Sequence, residues 1–391
     1  MPDAQHVASM RSSEVAAIDM AAELEADDPV FLPSAFWRDL NDKNRRMLEE
    51  EGQANFKRTV SQNYFNWLVA DRKSDLFRHV FRQWCRRPNL LPLLTRLEET
   101  RRLRTNTVDG RVELSARQRH TYRLYVCFVW TIMRRLDRRR LRLRVAEPEI
   151  GNPFPLRCGR KLLSQDLATS IMECNVLADV TEGVSAPRIG ELGAGYGRVA
   201  HAYASSLPGR YFIFDIPPAL AVAQWYLEQT LGRERVFRFR HFDRIEDVQD
   251  EIDRASVALF TANQIRKFPD NYFDVMVSIS TLPEMRQDQV DLYLAEFQRL
   301  SRGHIFLKQF KAWKNPSDGT DLTIDSYRLH PDWQLVVDRS DPVIPCFFNR
   351  VWHKRPPNRL PPQANRDTPA FFASRKISCR ATVCCGIFCS P

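Results

Sequence analysis

From Ser34 to about Arg144 the apolar residues recur at helical spacing: Phe56, Val60, Tyr64 and Leu68 in one stretch, Leu76, Val80, Phe81 and Trp84 in the next. Pro88, Pro92 and the segment from Asn106 to Gly110 interrupt the pattern, which predicts several helices and a helical N-terminal domain over 34–150. Residues 1–33 are small, polar and acidic without apolar periodicity, and read as a disordered segment. The stretch from Glu147 to Pro155 holds three prolines, which extend the residues before them and mark a domain boundary.

Beyond that boundary the period changes. A helix is expected over 164–177, a strand over 188–192, a helix over 199–205 and a strand over 211–214. Pro217 and Pro218 suit the start of a helix that continues through Leu220, Ala223, Gln224 and Leu227. Strands follow at 236–239 and 257–260, around an acidic polar insert. Phe273 to Ile279 and His304 to Lys308 are nearly continuous apolar runs, as strands buried on both faces require. Segments 335–337 and 346–351 would pair antiparallel at an edge. The pattern predicts an α/β fold over 151–355, a Rossmann-like doubly wound sheet of seven strands, with a disordered cysteine-containing tail over 356–391.

Candidate chemistry concentrates in Arg188-Ile-Gly-Glu-Leu-Gly-Ala-Gly-Tyr-Gly-Arg198 and in Tyr211-Phe-Ile-Phe-Asp215. An apolar approach, a glycine turn and then a helical pattern describe a strand that opens a helix across a ligand site. A dinucleotide turn needs its third glycine one residue later, where this chain has Arg198. Glu191, at the mouth of the strand, repels a pyrophosphate but suits a ligand bearing an ammonium and a sulfonium, as S-adenosylmethionine does. Asp215 would accept hydrogen bonds from the two ribose hydroxyls. The pattern reads as a class I methyltransferase with the cofactor held by Glu191, Gly193, Ala194, Gly195, Gly197, Asp215 and Ile216; an ordinary strand-to-helix turn is the alternative.

Composition adds limits. With 43% hydrophobic and 27% charged residues in 391, the chain can bury a substantial core, and two domains fit the length. Met1 to His6 show no basic or apolar signal pattern, and the longest apolar run, Leu124 to Met133, is too short to span a bilayer, so a cytoplasmic location is expected. Cys85, Cys127, Cys158, Cys174 and Cys346 are scattered through core-like segments, as reduced thiols are. Cys379, Cys384, Cys385 and Cys389 match no common zinc spacing. The net charge of +10 derives largely from arginine runs at 101–104 and 134–144, read as a solvated helix face rather than a phosphate-binding surface, because no RNA-binding signature accompanies them.

Glu191-Leu-Gly-Ala-Gly-Tyr-Gly-Arg198, Asp215-Ile-Pro-Pro-Ala-Leu220, Ser280-Thr-Leu-Pro-Glu-Met285 and Leu307-Lys-Gln-Phe-Lys-Ala-Trp-Lys-Asn-Pro316 together resemble the sugar O-methyltransferase family. Asn55-Phe-Lys-Arg-Thr-Val60 and Glu149-Ile-Gly-Asn-Pro153 resemble its helical leader, so the resemblance covers roughly 34–350. Asn349 departs from it, standing where an acidic residue is expected. The resemblance implies methyl transfer from S-adenosylmethionine to a sugar or glycan hydroxyl, the acceptor being free or nucleotide-linked. It also implies that Gln165 and Asp166 belong to a leader helix that closes over the site and touches substrate.

A sugar hydroxyl needs a base or a metal ion to become nucleophilic. Ligands of this fold lie beyond the carboxyl ends of the strands, which favours Glu284 as the base, a capping carboxylate being the alternative. His330 and Asp318, in a segment able to cover the site, are further catalytic candidates. Lys308 and Gln309, at the carboxyl end of their strand, would orient sugar hydroxyls. Asn263 and Gln264 follow a strand at the usual adenine position, or else cap the next helix. His201 is read as packed, and no metal is expected. Nucleic-acid methylation and a non-catalytic S-adenosylmethionine-binding module are the rival functions.

Overall fold

A computed structural model of the chain describes residues 16–59, 68–86, 97–98, 104–107, 110–315 and 319–355. The cysteines of the tail and Asp318 lie outside the described residues. At the centre is one sheet of eight strands: β1 (Arg188–Leu192), β2 (Arg210–Asp215), β3 (Val236–Phe237), β4 (Val257–Thr261), β5 (Phe273–Ile279), β6 (Ser301–Phe310), β7 (Trp333–Ser340) and β8 (Phe347–Lys354). Their order across the sheet is β7-β8-β6-β5-β1-β2-β4-β3. Strands β6, β5, β1, β2, β4 and β3 run parallel, while β8 pairs antiparallel with both β6 and β7. The doubly wound α/β fold is as expected, but the sheet has eight strands where seven were expected. Each of the eight falls on a strand segment read from the sequence; β3, at the outer edge of β4, covers only two of the four residues expected at 236–239.

Helices cover both faces, which is why β4 and β5 are buried at every position. Successive residues of β2 serve opposite faces: Tyr211 and Ile213 join the core with α4 (Ala116–Leu136), α5 (Gln165–Val180), α6 (Arg198–Ser206) and α7 (Ala219–Leu231). Phe212 and Phe214 join the core with α1 (16–25), α8 (Gln249–Arg254) and α9 (Gln287–Leu300).

Two expectations about domains need correction. Residues 16–33 are built into the fold: Met20, Leu24 and Phe31 are buried, Phe31 packs edge-on against Tyr293, and Lys267 Nζ donates to Glu23 Oε1 at 3.0 Å. Met20 and Leu24 lie one turn apart on α1 and Phe31 follows it, too few apolar positions to stand out from the small and acidic residues around them, so the segment reads as disordered. Nor do helices α2 (Ala35–Glu51), α3 (Asp75–Cys85) and α4 form a separate domain. Phe56, Tyr122 and Phe128 share one apolar cluster with Tyr196 and Ile213. The proline-rich connector is packed into that cluster through Phe154, and Glu147 forms a buried ion pair with Lys57. Short strands also occur in this region, at Leu97–Glu98, Arg104–Thr107 and Gly110–Glu113.

Candidate active site

β1, the glycine turn, α6 and β2 follow one another along the chain and β2 runs parallel to β1, so the turn between β1 and α6 lies at the carboxyl edge of the sheet. Chain direction diverges there: β2 lies on one side of β1 and β5 on the other, the switch point at which doubly wound sheets open a crevice. Gly193, Gly195 and Gly197 have φ of 75°, 59° and 80°, a region that side chains with a Cβ rarely adopt. A Cβ at Gly193 would stand 2.2 Å from the Thr281 side chain, and Thr281 Oγ1 donates to the Gly193 carbonyl at 3.1 Å. The backbone N–H groups of Gly195 and Ile216 donate to the two oxygens of Asp215 at 2.8 and 2.7 Å, tying the turn to β2.

One cavity collects Glu191, Gly193, Ala194, Gly195, Asp215, Ile216, Gln165, Asp166 and Glu284. Gly197 lies behind its wall, where a Cβ would meet Leu227 at 2.9 Å; its role is to start α6. The cavity is rich in carboxyl groups. Burial pushes Glu191 up to about 8, against the hydrogen bond that Tyr211 donates to its Oε2 at 2.9 Å. Burial raises Asp215 to about 7 despite its two backbone donors, and Asp166 to about 6 despite nearby Arg198 and the Tyr196 hydroxyl at 2.6 Å. Glu284, on a short 3-10 turn after β5, is pushed well above the usual carboxylate range by burial and by facing Asp215. Buried carboxyls that hold protons near neutrality mark a place where a cation would be stabilised.

Gln165, the first residue of α5, lines the cavity with its Oε1 buried and without a hydrogen-bond partner. A buried acceptor left open in this way is ready for a ligand's donor.

Other candidates are placed elsewhere. Lys308 reaches the cavity wall, but its ammonium is bound by Glu173 Oε1 at 3.0 Å and Asp341 Oδ2 at 2.8 Å. Gln309 is an internal brace that receives the Thr281 N–H and donates to Ser278. Gln264 is the cap of the 3-10 helix after β4: its Oε1 accepts from Thr261 N at 3.1 Å and its amide donates to the Arg240 carbonyl. The Asn263 amide is turned to Asp27 and Glu23, holding the N-terminal segment; of this loop only Ala262 lines the cavity. His330 is exposed and paired with Asp332 just before β7, which runs parallel to β6, so it lies at the amino end of the strands, away from the cavity. His201 packs against Tyr226, and burial pushes it down to about 4.

Three features were not anticipated from the sequence. A strap from Val30 to Asn41 crosses the cavity: Gln289 donates to the carbonyls of Val30 and Leu32, Ser34 Oγ to the Glu284 carbonyl at 2.9 Å, and Asn41 to the Pro217 carbonyl at 3.1 Å. It brings Phe36 and Trp37 into the lining; the only sequence signal was Ser34 three residues before Trp37, an N-cap pattern. Phe310, Trp313 and Phe347 add a second aromatic surface. Finally, Arg198 joins Glu173 at 2.5 Å in a buried chain of charges that continues through Lys308 to Asp341. Burial alone would raise Glu173, but Arg198 and Lys308 hold it below its ordinary value. Asn349 donates to Asp341 at 3.1 Å, where an acidic residue would face that carboxylate.

Among the described residues no group of His, Cys, Asp or Glu is arranged to hold a metal ion. No family model matches the chain, and no curated protein matches it. Solved structures similar to it include the magnesium protoporphyrin IX methyltransferase of Synechocystis PCC 6803 with bound SAM, at 10% identity and a TM-score of 0.34 over 49% of this chain and 84% of that one. Another is the 1,6-didemethyltoxoflavin-N1-methyltransferase of Burkholderia thailandensis with bound 1,6-didemethyltoxoflavin and S-adenosylhomocysteine, at 14% identity and a TM-score of 0.31 over 49% and 79%. A third is the mitomycin 7-O-methyltransferase, at 12% identity and a TM-score of 0.31 over 48% and 56%. Each likeness is confined to about half of this chain.

Proposed function

We propose that the cavity binds S-adenosylmethionine and that the protein transfers its methyl group to a hydroxyl of a sugar or glycan. The observation that carries the reading is the grouping of Asp166, Glu191 and Asp215 around the glycine turn, with raised pKa values that a sulfonium and an ammonium would relieve. The fit extends to neutral groups. Gln165 Oε1 offers an open acceptor, and Gly193 and Gly195 present bare backbone to the cavity, which lets a ligand approach the turn closely.

In this reading Asp215 and Ile216 hold the ribose side, Glu191, Gly193 and Ala194 border the sulfonium, and Gln165 and Asp166 close over the amino-acid end. Bound there, the cofactor would supply an electrophilic methyl carbon, so that the acceptor oxygen forms the new C–O bond as the C–S bond gives its electron pair to sulfur. The chain's own task is to hold the acceptor oxygen in line and to take its proton, which positioning and a nearby base achieve. Glu284 is the base: it lines the cavity on the β5 side of the turn, and its raised pKa makes its carboxylate a stronger proton acceptor than an exposed one. The sugar acceptor rests on the resemblance of Ser280 to Met285 and Leu307 to Pro316 to the sugar O-methyltransferase family.

The test is transfer of label from methyl-labelled S-adenosylmethionine to a panel of glycosides, with the products identified as methyl ethers. Label appearing on nitrogen, sulfur or nucleic acid, and on no glycoside hydroxyl, would overturn the acceptor assignment.

A further inference from the structure

The carboxyl edge of the sheet sorts the cavity into two chemistries. Asp215 closes β2, Glu191 and the glycine turn close β1, Glu284 follows β5, and Phe310 closes β6 in register with Phe347, which opens β8. These five strands are neighbours, so the edge from Asp215 to Phe347 spans four inter-strand steps, about 19 Å at roughly 4.8 Å each. The carboxyl half of that span suits the methyl donor. At the other half Phe310 packs on Trp313 with ring centroids 4.6 Å apart and on Phe347 at 4.4 Å.

Charge separates possible occupants of the aromatic half. Arg198 and Lys308 are the cations in the lining among the described residues. Both are already neutralised: Arg198 by Glu173 at 2.5 and 3.2 Å, Lys308 by Glu173 at 3.0 Å and Asp341 at 2.8 Å. A phosphate entering here would find Glu284 at the junction and no uncommitted guanidinium or ammonium among those residues, so it would lose its hydration without gaining an ion pair.

We infer that the acceptor is a ring without phosphate or carboxylate, a neutral or amino-bearing sugar whose apolar face packs on Phe310 and Trp313 while a hydroxyl points to Glu284. This narrows the proposed methyl-transfer reading and rests on it: sugar nucleotides and sugar phosphates are excluded as acceptors.

The experiment uses the full chain saturated with S-adenosylhomocysteine, whose binding is first established by calorimetry. p-Nitrophenyl pyranosides of several configurations, their 2-amino counterparts, their 6-phosphates and UDP-glucose are then titrated separately. The expected result is saturable binding of at least one neutral or amino-bearing glycoside, with its 6-phosphate weaker by about tenfold or more. Trp313→Ala should weaken that glycoside about tenfold while leaving S-adenosylhomocysteine within about twofold, and Trp313→Phe, which keeps an aromatic ring, should retain most of the affinity. A 6-phosphate or UDP-glucose that binds as tightly as its neutral parent overturns the inference, and so does failure of every uncharged or amino-bearing probe. If S-adenosylhomocysteine itself does not bind, the methyl-transfer reading falls first; if it binds and phosphorylated probes win, only the acceptor class falls.

Discussion

Glu284 carries the most demanding claim at the scale of single residues. Its carboxyl lines the cavity proposed to bind the donor, and burial beside Asp215 raises its pKa. As the base it must be ionised, so kcat/KM should rise with pH along an acid limb displaced above the ordinary carboxylate range. Glu284→Gln should cut turnover by about a hundredfold or more and remove that limb, with little change in donor affinity. Unchanged turnover would take Glu284 out of the mechanism. Gly193 supplies a steric counterpart. Alanine there combines a φ of 75° with a 2.2 Å approach to Thr281, so Gly193→Ala should weaken donor binding by more than about tenfold while far-ultraviolet circular dichroism stays native. Normal donor affinity in that variant would mean that the turn does not meet the ligand.

At the scale of elements the strap is the feature with most consequence. Ser34 caps α2, accepting from Trp37 N at 3.4 Å, and also donates to the Glu284 carbonyl. Ser34→Ala should cost about 1 kcal/mol in chemical denaturation and speed release of S-adenosylhomocysteine in stopped-flow measurements. A variant with unaltered release would show that the strap does not gate the cavity. The strap also shows what a sequence conceals. Strands β1, β2 and β5 were legible because each is a local apolar run, and Glu191 and Asp215 because their spacing to the glycines is fixed by one strand-turn-helix unit. Lys308 and Gln309 were legible as polar residues at the correct end of strands, yet their partners come from far along the chain, Asp341 for Lys308 and Ser278 for Gln309, whereas Gln264 takes up the capping alternative by accepting from Thr261 N three residues back. Long-range pairing turns a ligand candidate into a brace, and no local pattern announces it. His330 failed for a topological reason, since the direction of β7 puts it at the amino end of the strands.

For the molecule as a whole, a single core joins the N-terminal helices to the sheet, so the leader and the cavity should unfold together. The arginine run is largely spent within the fold: Arg138 and Arg139 pair with Asp179 at 2.6 and 3.1 Å, and Arg142 with Asp137 at 2.9 Å. Replacing Arg138 and Arg139 by glutamine should leave methyl transfer to glycosides unchanged and cost less than about 1 kcal/mol of stability, as exposed pairs do. Activity that appears only on nucleic acid and vanishes in that variant would reverse the assignment. No helix among the described residues is long and apolar enough to cross a membrane.

The acidic cavity also sets how the whole protein responds to pH. Asp166, Glu191 and Asp215 have folded-state pKa values of about 6, 8 and 7, above the unfolded range of about 4. Their contribution to stability is therefore full below about pH 4 and is lost as pH rises through those values. A bound cation reverses the balance, because it favours the ionised carboxylates. The most direct test is calorimetric titration of the protein with S-adenosylmethionine and with S-adenosylhomocysteine, which lacks the sulfonium charge, between pH 6 and 7.5 in two buffers of different ionisation enthalpy. S-adenosylmethionine should bind with proton release and tighten with pH, by up to about tenfold per pH unit for each proton released, while S-adenosylhomocysteine shows a markedly shallower dependence. Absence of binding by both ligands, or equal affinities with no proton release at any pH, would contradict the account.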